Sequence, residues 1–188
     1  MKPDEVDDYG VVHTKWCGDD GRTALYAGYK VDKDDPIIEA IGTIDELNSF
    51  VGLARSFIEN NEVNKILLTI QKDLFVTGAD LANPREAMKK GPRLEEERIG
   101  WIEKTTLDLD KELPELHNFI LAGASRESSF FHVCRSVARR AERRVLSTKK
   151  KGTENIVKYL NRLSYFFFLI ARDYNLSHDI TEDEWRGS

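Results

Sequence analysis

The sequence predicts an all-α protein, a bundle of five helices with an irregular N-terminal segment. From residue 36 onward, apolar residues recur every three or four positions, which is the period of an amphipathic helix. Pairs such as Asn83-Pro84 and Gly91-Pro92 mark connections between these stretches. The 188 residues, 40% of them hydrophobic, suffice for one domain with a sizeable core.

The chain divides into three parts by composition. Residues 1–35 carry nine acidic and five basic residues with no sustained period, so we expect an irregular segment. We expect residues 36–176 to form a single helical-bundle domain and residues 177–188 a C-terminal tail. The irregular segment also holds four glycines, which favour turns: Gly10, Gly18, Gly21 and Gly28.

The first two helices have clear boundaries in the sequence. Asp35-Pro36 is a good helix start, because Asp can cap free N–H groups and Pro fits the first helical position. The first helix should run to about Asn60, and the second should span about 62–82. Both keep apolar residues at three- and four-residue spacing.

Gly42 and Asp45 are unusual within the first predicted helix. Glycine inside a helix costs about 1 kcal/mol relative to alanine. A close backbone or ligand would explain Gly42. Alternatively, the helix begins at Thr43, and Thr43 and Glu46 form a capping box. Asp45 is a short acid on an otherwise apolar helix, and it needs an arginine partner if it is buried.

Three further helices complete the bundle. The third, at about 94–110, is more charged and should be peripheral. The fourth should run from about Ser125 to Lys150, and Gly152-Thr153 can close it and cap the next. The fifth, 154–176, is apolar on all sides over Tyr165–Ala171, as in a central helix or a subunit interface.

The bulk properties exclude several classes of protein. The sequence has no apolar run of the roughly 18 residues that a membrane span needs. The N-terminus is acidic and lacks an apolar signal core, so we expect a cytoplasmic protein. A net charge of −5 argues against a generic DNA binder. Two cysteines make no disulfide framework, and the histidines lack metal-ligand spacing, so we expect no protein-bound metal site.

The fourth helix carries the strongest functional signal. Arg135, Arg139 and Arg143 are spaced i, i+4 and i+8, and Glu142 lies on the same face. Eight basic residues and one acidic residue fall between Arg135 and Lys151. Guanidinium groups bind phosphate oxygens in pairs, so a polyphosphate or nucleic acid is the natural ligand. A solvated basic face is an equally good interpretation of this helix alone.

Three other motifs are weaker. The glycines of Gly18–Thr23 let backbone N–H groups approach a phosphate, but the Gly-Lys-Ser/Thr ending of a P-loop is missing. Asn161 and Arg162 interrupt the most apolar helix, where a hydrogen-bonded core asparagine is the usual explanation. Phe119 lies between a loop and the basic helix, where a core anchor is the simpler interpretation.

The order of these motifs resembles the PduO-type ATP:cob(I)alamin adenosyltransferases. The N-terminal group is Thr14-Lys15, Gly18-Asp-x-Gly21-x-Thr23, Lys33 and Gly42-Thr-x-Asp-Glu-Leu-Asn48. The C-terminal group is Phe119-Ile-Leu-Ala-Gly, His132-x-x-Arg135-x-x-x-Arg-Arg-Ala-Glu-Arg143 and Tyr159-Leu-Asn-Arg-Leu-Ser164. The resemblance covers residues 13–173, which is nearly the whole chain.

The resemblance implies an activity and an assembly. Cob(I)alamin attacks the 5′ carbon of ATP, triphosphate leaves, and adenosylcobalamin forms, with Mg²⁺ accompanying ATP. The implied fold is a five-helix bundle that forms a homotrimer with active sites between subunits. A reductase and an adenosylcobalamin-dependent enzyme are the implied protein partners. We expect no nucleic-acid or membrane partner.

The resemblance also implies roles for individual residues. Asp45 and Arg135 match a salt bridge between neighbouring subunits, and Phe119 matches an aromatic residue at the lower face of the corrin. These three and Arg139 are the implied catalytic set. The implied ATP ligands are Thr14, Lys15, Gly18, Asp19, Asp20, Gly21, Arg22, Thr23, Lys33, Arg139, Arg140, Glu142, Arg143 and Asn161.

Three alternatives to the enzyme remain open. A nucleic-acid-binding protein would use the basic face of residues 135–151 and bind with steep salt dependence. A nucleotide or corrinoid sensor, or a delivery protein, would bind without turnover. A purely structural trimer would keep the Asp45–Arg135 pair but would not bind ATP.

Overall fold

Five helices account for most of the structure, a computed structural model that describes residues 5–6, 12–13, 18–25, 28–83 and 91–186. Their number and order confirm the predicted five-helix chain. Their bounds are α1 Pro36–Arg55, α2 Asn61–Ala82, α3 Glu96–Lys111, α4 Arg126–Ser147 and α5 Glu154–Ser177.

Within the described residues, six short strands form three antiparallel pairs. In chain order they are β1 Glu5–Val6 with β2 Val12–His13, β3 Arg22–Ala24 with β4 Lys30–Asp32, and β5 Phe119–Ile120 with β6 Glu184–Trp185. The prediction that residues 1–35 are irregular was therefore wrong for the segments that form β1 to β4. Strands of two or three residues are too short to display the alternation by which a strand is recognised.

Asp35 starts α1 as predicted. Its side chain accepts a hydrogen bond from the Ile37 N–H at 2.8 Å, and Pro36 is the first helical residue. The alternative start at Thr43 is wrong, because the Thr43 hydroxyl donates to the carbonyl of Glu39 within the helix, at 2.8 Å. Gly42 is therefore a true interior glycine of α1.

Two predicted helix ends were too late. The first helix ends at Arg55 rather than about Asn60, because Asn60 caps α2 by accepting from two backbone N–H groups of its first turn. The fourth helix ends at Ser147 rather than Lys150, and Lys149 and Gly152 then turn the chain with positive φ values of 52° and 78°.

Each helix of the bundle packs mainly against one or two neighbours. In space α1 lies between α2 and α4, and α5 lies between α4 and α3. The apolar faces of all five helices form the core, with Tyr159, Phe166 and Phe167 fully buried. The fifth helix buries much of its apolar stretch, as a central helix would, but Tyr165 is 46% exposed, so the alternative of a subunit interface stays a prediction. None of the helices that the structure describes is long and apolar enough to cross a membrane.

A buried polar cluster joins α2, α3 and α5. The Arg98 guanidinium binds both carboxylate oxygens of Asp73, with the shortest distance 2.8 Å between Nη2 and Oδ2. The Tyr159 hydroxyl donates to Oδ2 of Asp73 at 2.7 Å. The cluster joins α3 directly to α2 as well as to α5, and it satisfies the charge of a carboxylate that is 7% exposed.

Candidate functional site

Two cavities lie side by side along α4 and α5. The larger, of about 750 Å³, is lined by Phe119, His132 and Trp185 among others. The smaller, of about 310 Å³, includes Arg139 and Asn161 in its lining. Arg135 and Phe168 line both cavities and so form a shared wall. A reaction between a ligand in one cavity and a ligand in the other would take place at this wall.

The larger cavity has an aromatic and mostly apolar lining. Phe119 on β5 is 77% exposed, and its ring centroid lies 6.4 Å from that of Trp185 on β6. Rings that are so exposed at the mouth of a cavity are suited to bind a large apolar surface. A flat ligand with an extended apolar face fits this lining.

The tail that carries Trp185 is attached to the bundle by polar contacts. The Asn175 side-chain amide donates to Glu182 at 3.1 Å, and the Ser125 hydroxyl donates to the Asn175 side-chain carbonyl at 2.8 Å. Arg172 forms an ion pair with Glu182 at 3.6 Å. The strand pairing of residues 119–120 with residues 184–185 is thus supported by a buried end of α5.

The smaller cavity is basic and contains two of the predicted nucleotide residues, Arg139 and Asn161. Asn161 donates from its amide to Glu142 at 3.1 Å, which orders both side chains beside Arg139. Burial and the neighbouring Arg139 lower the pKa of Arg135, which nevertheless stays charged at neutral pH. Two close guanidinium groups repel each other unless an anion lies between them, so this cavity is suited to an anionic ligand.

Two arginines of the basic block point to a different helix. Arg140 forms an ion pair with Glu46 of α1, and Arg144 forms one with Glu39 at 3.3 Å. Arg143 is exposed to solvent. The block is therefore not one continuous phosphate-binding face, because its members are divided between the cavity, solvent and the α1 interface.

The predicted phosphate loop forms the tight turn before the β3–β4 hairpin. Gly18 has a φ of 97°, and a Cβ there would lie 2.9 Å from the Arg22 carbonyl oxygen and 3.0 Å from the Lys33 ammonium. Gly21 has a φ of 79° and donates to the Gly18 carbonyl at 3.1 Å. Asp20 accepts from the Arg22 N–H at 3.1 Å. The structure thus brings Lys33 to the turn, while Thr14 and Lys15 lie outside the described residues.

The hairpin borders a third cavity, a groove of about 550 Å³ against α1 and α2. Its lining includes Thr23, Gly42, Asp45 and Phe75, the last of which is 74% exposed. A Cβ on Gly42 would have no neighbour within 4 Å. Asp45 is exposed in this groove, whereas Arg135 lines the other two cavities. The predicted Asp45–Arg135 pair therefore does not form within one chain.

His132 and Phe168 belong to the site, although the sequence did not assign them a role. Their rings are edge to face, with centroids 6.2 Å apart. The position of His132 one helical turn before Arg135 was a usable signal, whereas Phe168 is hidden in a uniformly apolar run. Among the described residues, no group of three His, Cys, Asp or Glu side chains is placed to hold a metal ion.

Comparison with known proteins identifies the family. The family model for cobalamin adenosyltransferase matches residues 14–174. A corrinoid adenosyltransferase of Bacillus subtilis is 42% identical over 183 residues, which cover 94% of this chain and 93% of that protein. The human corrinoid adenosyltransferase MMAB is 40% identical over 179 residues, covering 86% of this chain and 67% of the relative.

Solved structures agree with this result. A variant PduO-type ATP:corrinoid adenosyltransferase from Lactobacillus reuteri, complexed with cobalamin and ATP, superposes with a TM-score of 0.85. It is 31% identical, and the match covers 91% of this chain and 97% of that one. A second variant, complexed with ATP, gives a TM-score of 0.83. The chain therefore belongs to the cobalamin adenosyltransferase family and is of the PduO type.

Proposed function

We propose that this protein transfers the 5′-deoxyadenosyl group of ATP to cob(I)alamin, releasing triphosphate. The observation that carries the proposal is the wall of Arg135 and Phe168 between an aromatic cavity and a basic one. Such adjacency lets a corrinoid and a nucleotide meet at their reacting atoms. Related structures that contain cobalamin and ATP support the assignment of the two ligands.

The reaction needs little covalent help from the protein. The cobalt electron pair attacks the 5′ carbon of ATP, the cobalt–carbon bond forms, and the bond from that carbon to the triphosphate oxygen breaks. Negative charge then grows on the triphosphate. Arg139 and Asn161 in the basic cavity are the donors that would stabilise it, because charge-assisted hydrogen bonds strengthen as charge develops.

Other predicted nucleotide residues would complete the site. Glu142 orients Asn161, and the turn of residues 18–23 with Lys33 offers backbone N–H groups and an ammonium for the phosphates. Thr14 and Lys15 extend the same loop in our proposal. Arg143 and Arg140 would act at the edge of the site, and Arg140 would have to share or leave its contact with Glu46.

The aromatic cavity would hold the corrinoid. Phe119 would cover the lower face of the ring and displace the lower axial ligand of cobalt. Loss of a donor ligand disfavours the oxidised metal, so four-coordinate cob(II)alamin is easier to reduce. Trp185 would enclose the ligand from the tail side, because it already lies beside Phe119.

The active unit is proposed to be a homotrimer with sites between subunits. Asp45 and Arg135 line separate cavities of one chain, so an ion pair between them requires two chains. The groove of Gly42 and the exposed Phe75 is an apolar surface that a second copy would cover. In the trimer, the turn that contains Gly18 would then approach the basic cavity of a neighbour.

Mg²⁺ is proposed to enter with ATP, since this ion is usually held by substrate phosphates, water and one or two carboxylates. Asp19 and Asp20 at the predicted phosphate turn are the acids available to it.

We further propose a cytoplasmic protein that receives cobalamin from a reductase and passes its product to an adenosylcobalamin-dependent enzyme. Nucleic-acid binding is disfavoured, because Arg140 and Arg144 are paired with acids of α1.

The test is an anaerobic assay with chemically generated cob(I)alamin, ATP and Mg²⁺. We expect stoichiometric triphosphate and adenosylcobalamin. Arg139→Ala should weaken ATP affinity, measured by isothermal titration calorimetry, on the order of tenfold or more, because one charge-assisted hydrogen bond is lost. Arg144→Ala is the matched control, because this arginine lies on the same helix but contacts Glu39 outside the cavity.

The outcomes separate the alternatives. Tight ATP binding without turnover in the wild-type chain would favour a sensor or delivery protein. Absence of ATP binding would contradict the nucleotide assignment. Equal losses in Arg139→Ala and Arg144→Ala would mean that the general charge of α4, rather than the cavity, binds the nucleotide.

A further inference from the structure

His132 is a buried polar residue whose ring nitrogens are unsatisfied. It is 5% exposed, and within the described part of the chain neither Nδ1 nor Nε2 has a hydrogen-bond partner. Nε of Arg135, three residues further along α4, is also buried and has no hydrogen-bond partner among the described residues. Buried polar atoms without partners lower the stability of a fold, so their retention calls for another reason.

The place of these atoms indicates that reason. His132 and Arg135 are three residues apart on α4 and therefore share one helix face. Both line the larger cavity, and Arg135 also lines the basic one. The His132 ring packs edge to face with Phe168, the other residue of the shared wall. The unpaired nitrogens thus lie where the two ligands would meet.

We propose that His132 is a positioning residue for adenosyl transfer. One of its ring nitrogens accepts the Nε–H of Arg135 once the ligands and the neighbouring subunit are in place, and this bond fixes the guanidinium at the shared wall. The inference rests on the proposed function, because it gives Arg135 a task that depends on orientation. The remaining N–H groups of Arg135 stay free for the carboxylate of Asp45 in a second copy and for ATP.

The chemistry of the imidazole agrees with this role. Burial, and to a lesser extent the charge of Arg135, lower the pKa of His132 to about 4. The ring is therefore neutral at pH 7 and has one nitrogen that can accept a hydrogen bond. A protonated ring would instead repel the guanidinium. Neutral histidine is thus the form that an arginine-positioning residue requires.

The first test compares stability with turnover. His132→Phe keeps a flat ring of similar size but removes the acceptor. We expect kcat to fall on the order of tenfold to a hundredfold, as for the loss of one bond to a charged group. The KM for ATP should change little, and thermal stability should be unchanged or higher, because the unsatisfied nitrogens are gone. His178→Phe, an exposed position at the end of α5, is the control that should keep wild-type turnover.

A double-mutant cycle tests the connection to Arg135. Lysine has no Nε–H at the matching place, so in an Arg135→Lys background the change His132→Phe should cause no further loss. His132→Asn or His132→Gln restores an acceptor oxygen, and at least one of them should recover most of kcat. Additive losses in the cycle, or loss of stability and turnover together with no recovery by either amide, would overturn the proposal.

A measurement without turnover separates this inference from the proposed function. The ¹⁵N-labelled Arg135 Nε–H should exchange slowly with water in the wild-type protein with ATP and Mg²⁺ bound, and quickly in His132→Phe. The same signal can be read even if the wild-type protein fails to adenosylate cob(I)alamin. Fast exchange in both proteins would overturn the positioning role and leave the enzyme assignment intact.

Discussion

The cluster of Asp73, Arg98 and Tyr159 allows a quantitative test of how the bundle is held together. Tyr159→Phe removes one hydroxyl that donates at 2.7 Å to Asp73, at a residue that is fully buried. A hydrogen bond to a charged group is worth about 1.5–3 kcal/mol. Arg98 still holds both oxygens of the carboxylate, so the charge stays compensated. We expect a loss of about 2 kcal/mol in the free energy of unfolding.

A larger perturbation of the same cluster should cost more. Asp73→Ala leaves the Arg98 guanidinium and the Tyr159 hydroxyl without their partner, and breaking a buried pair in this way costs about 3–5 kcal/mol. Burial and the charge of Asp73 raise the pKa of Tyr159, so its hydroxyl remains a donor in any buffer suitable for the experiment. The free energy of unfolding should therefore be lowest for Asp73→Ala, intermediate for Tyr159→Phe and highest for the wild type.

The assay is urea unfolding followed by far-ultraviolet circular dichroism at one fixed protein concentration, since assembly would contribute to apparent stability. Tyr165→Phe is the control, because this tyrosine lies on the same helix but is 46% exposed, and it donates to Asp110 at 3.2 Å. It should cost less than about 1 kcal/mol. Equal effects of Tyr159→Phe and Tyr165→Phe would refute the reasoning, as would a tolerated Asp73→Ala.

Two further predictions concern titrating groups. The depressed pKa of His132, about 4 against about 6.5 when unfolded, means that the unfolded chain binds the proton more tightly. The contribution of His132 to the free energy of unfolding should therefore be fully present above pH 6.5 and fall by about 3 kcal/mol as the pH drops to 4. In His132→Phe, urea titrations should show that this part of the pH dependence is missing. Burial raises the pKa of Cys134 to about 12, so iodoacetamide at pH 8 should label it, by peptide mass spectrometry, in urea but not in native buffer. Rapid native labelling would contradict its burial.

Local signals accounted for the predictions that succeeded. Side chains that cap a helix act within three residues, so Asp35 could be recognised as a start from its neighbours. The period of apolar residues likewise predicted five helices. The same locality explains the failures. Nothing near Arg55 in the sequence marks the end of α1 there, and only the structure shows that Asn60 caps α2.

The sequence by itself determined the helical class, the family resemblance and the face of α4 that carries Arg135 and Arg139, because those depend on residues a few positions apart. Only the tertiary structure decided which charges are available to a ligand. Arg140 meets Glu46 across 94 residues, and Trp185 reaches Phe119 across the length of α4 and α5. Contacts of this kind depend on how helices pack, and the period of a single helix carries no information about the partner that it will face.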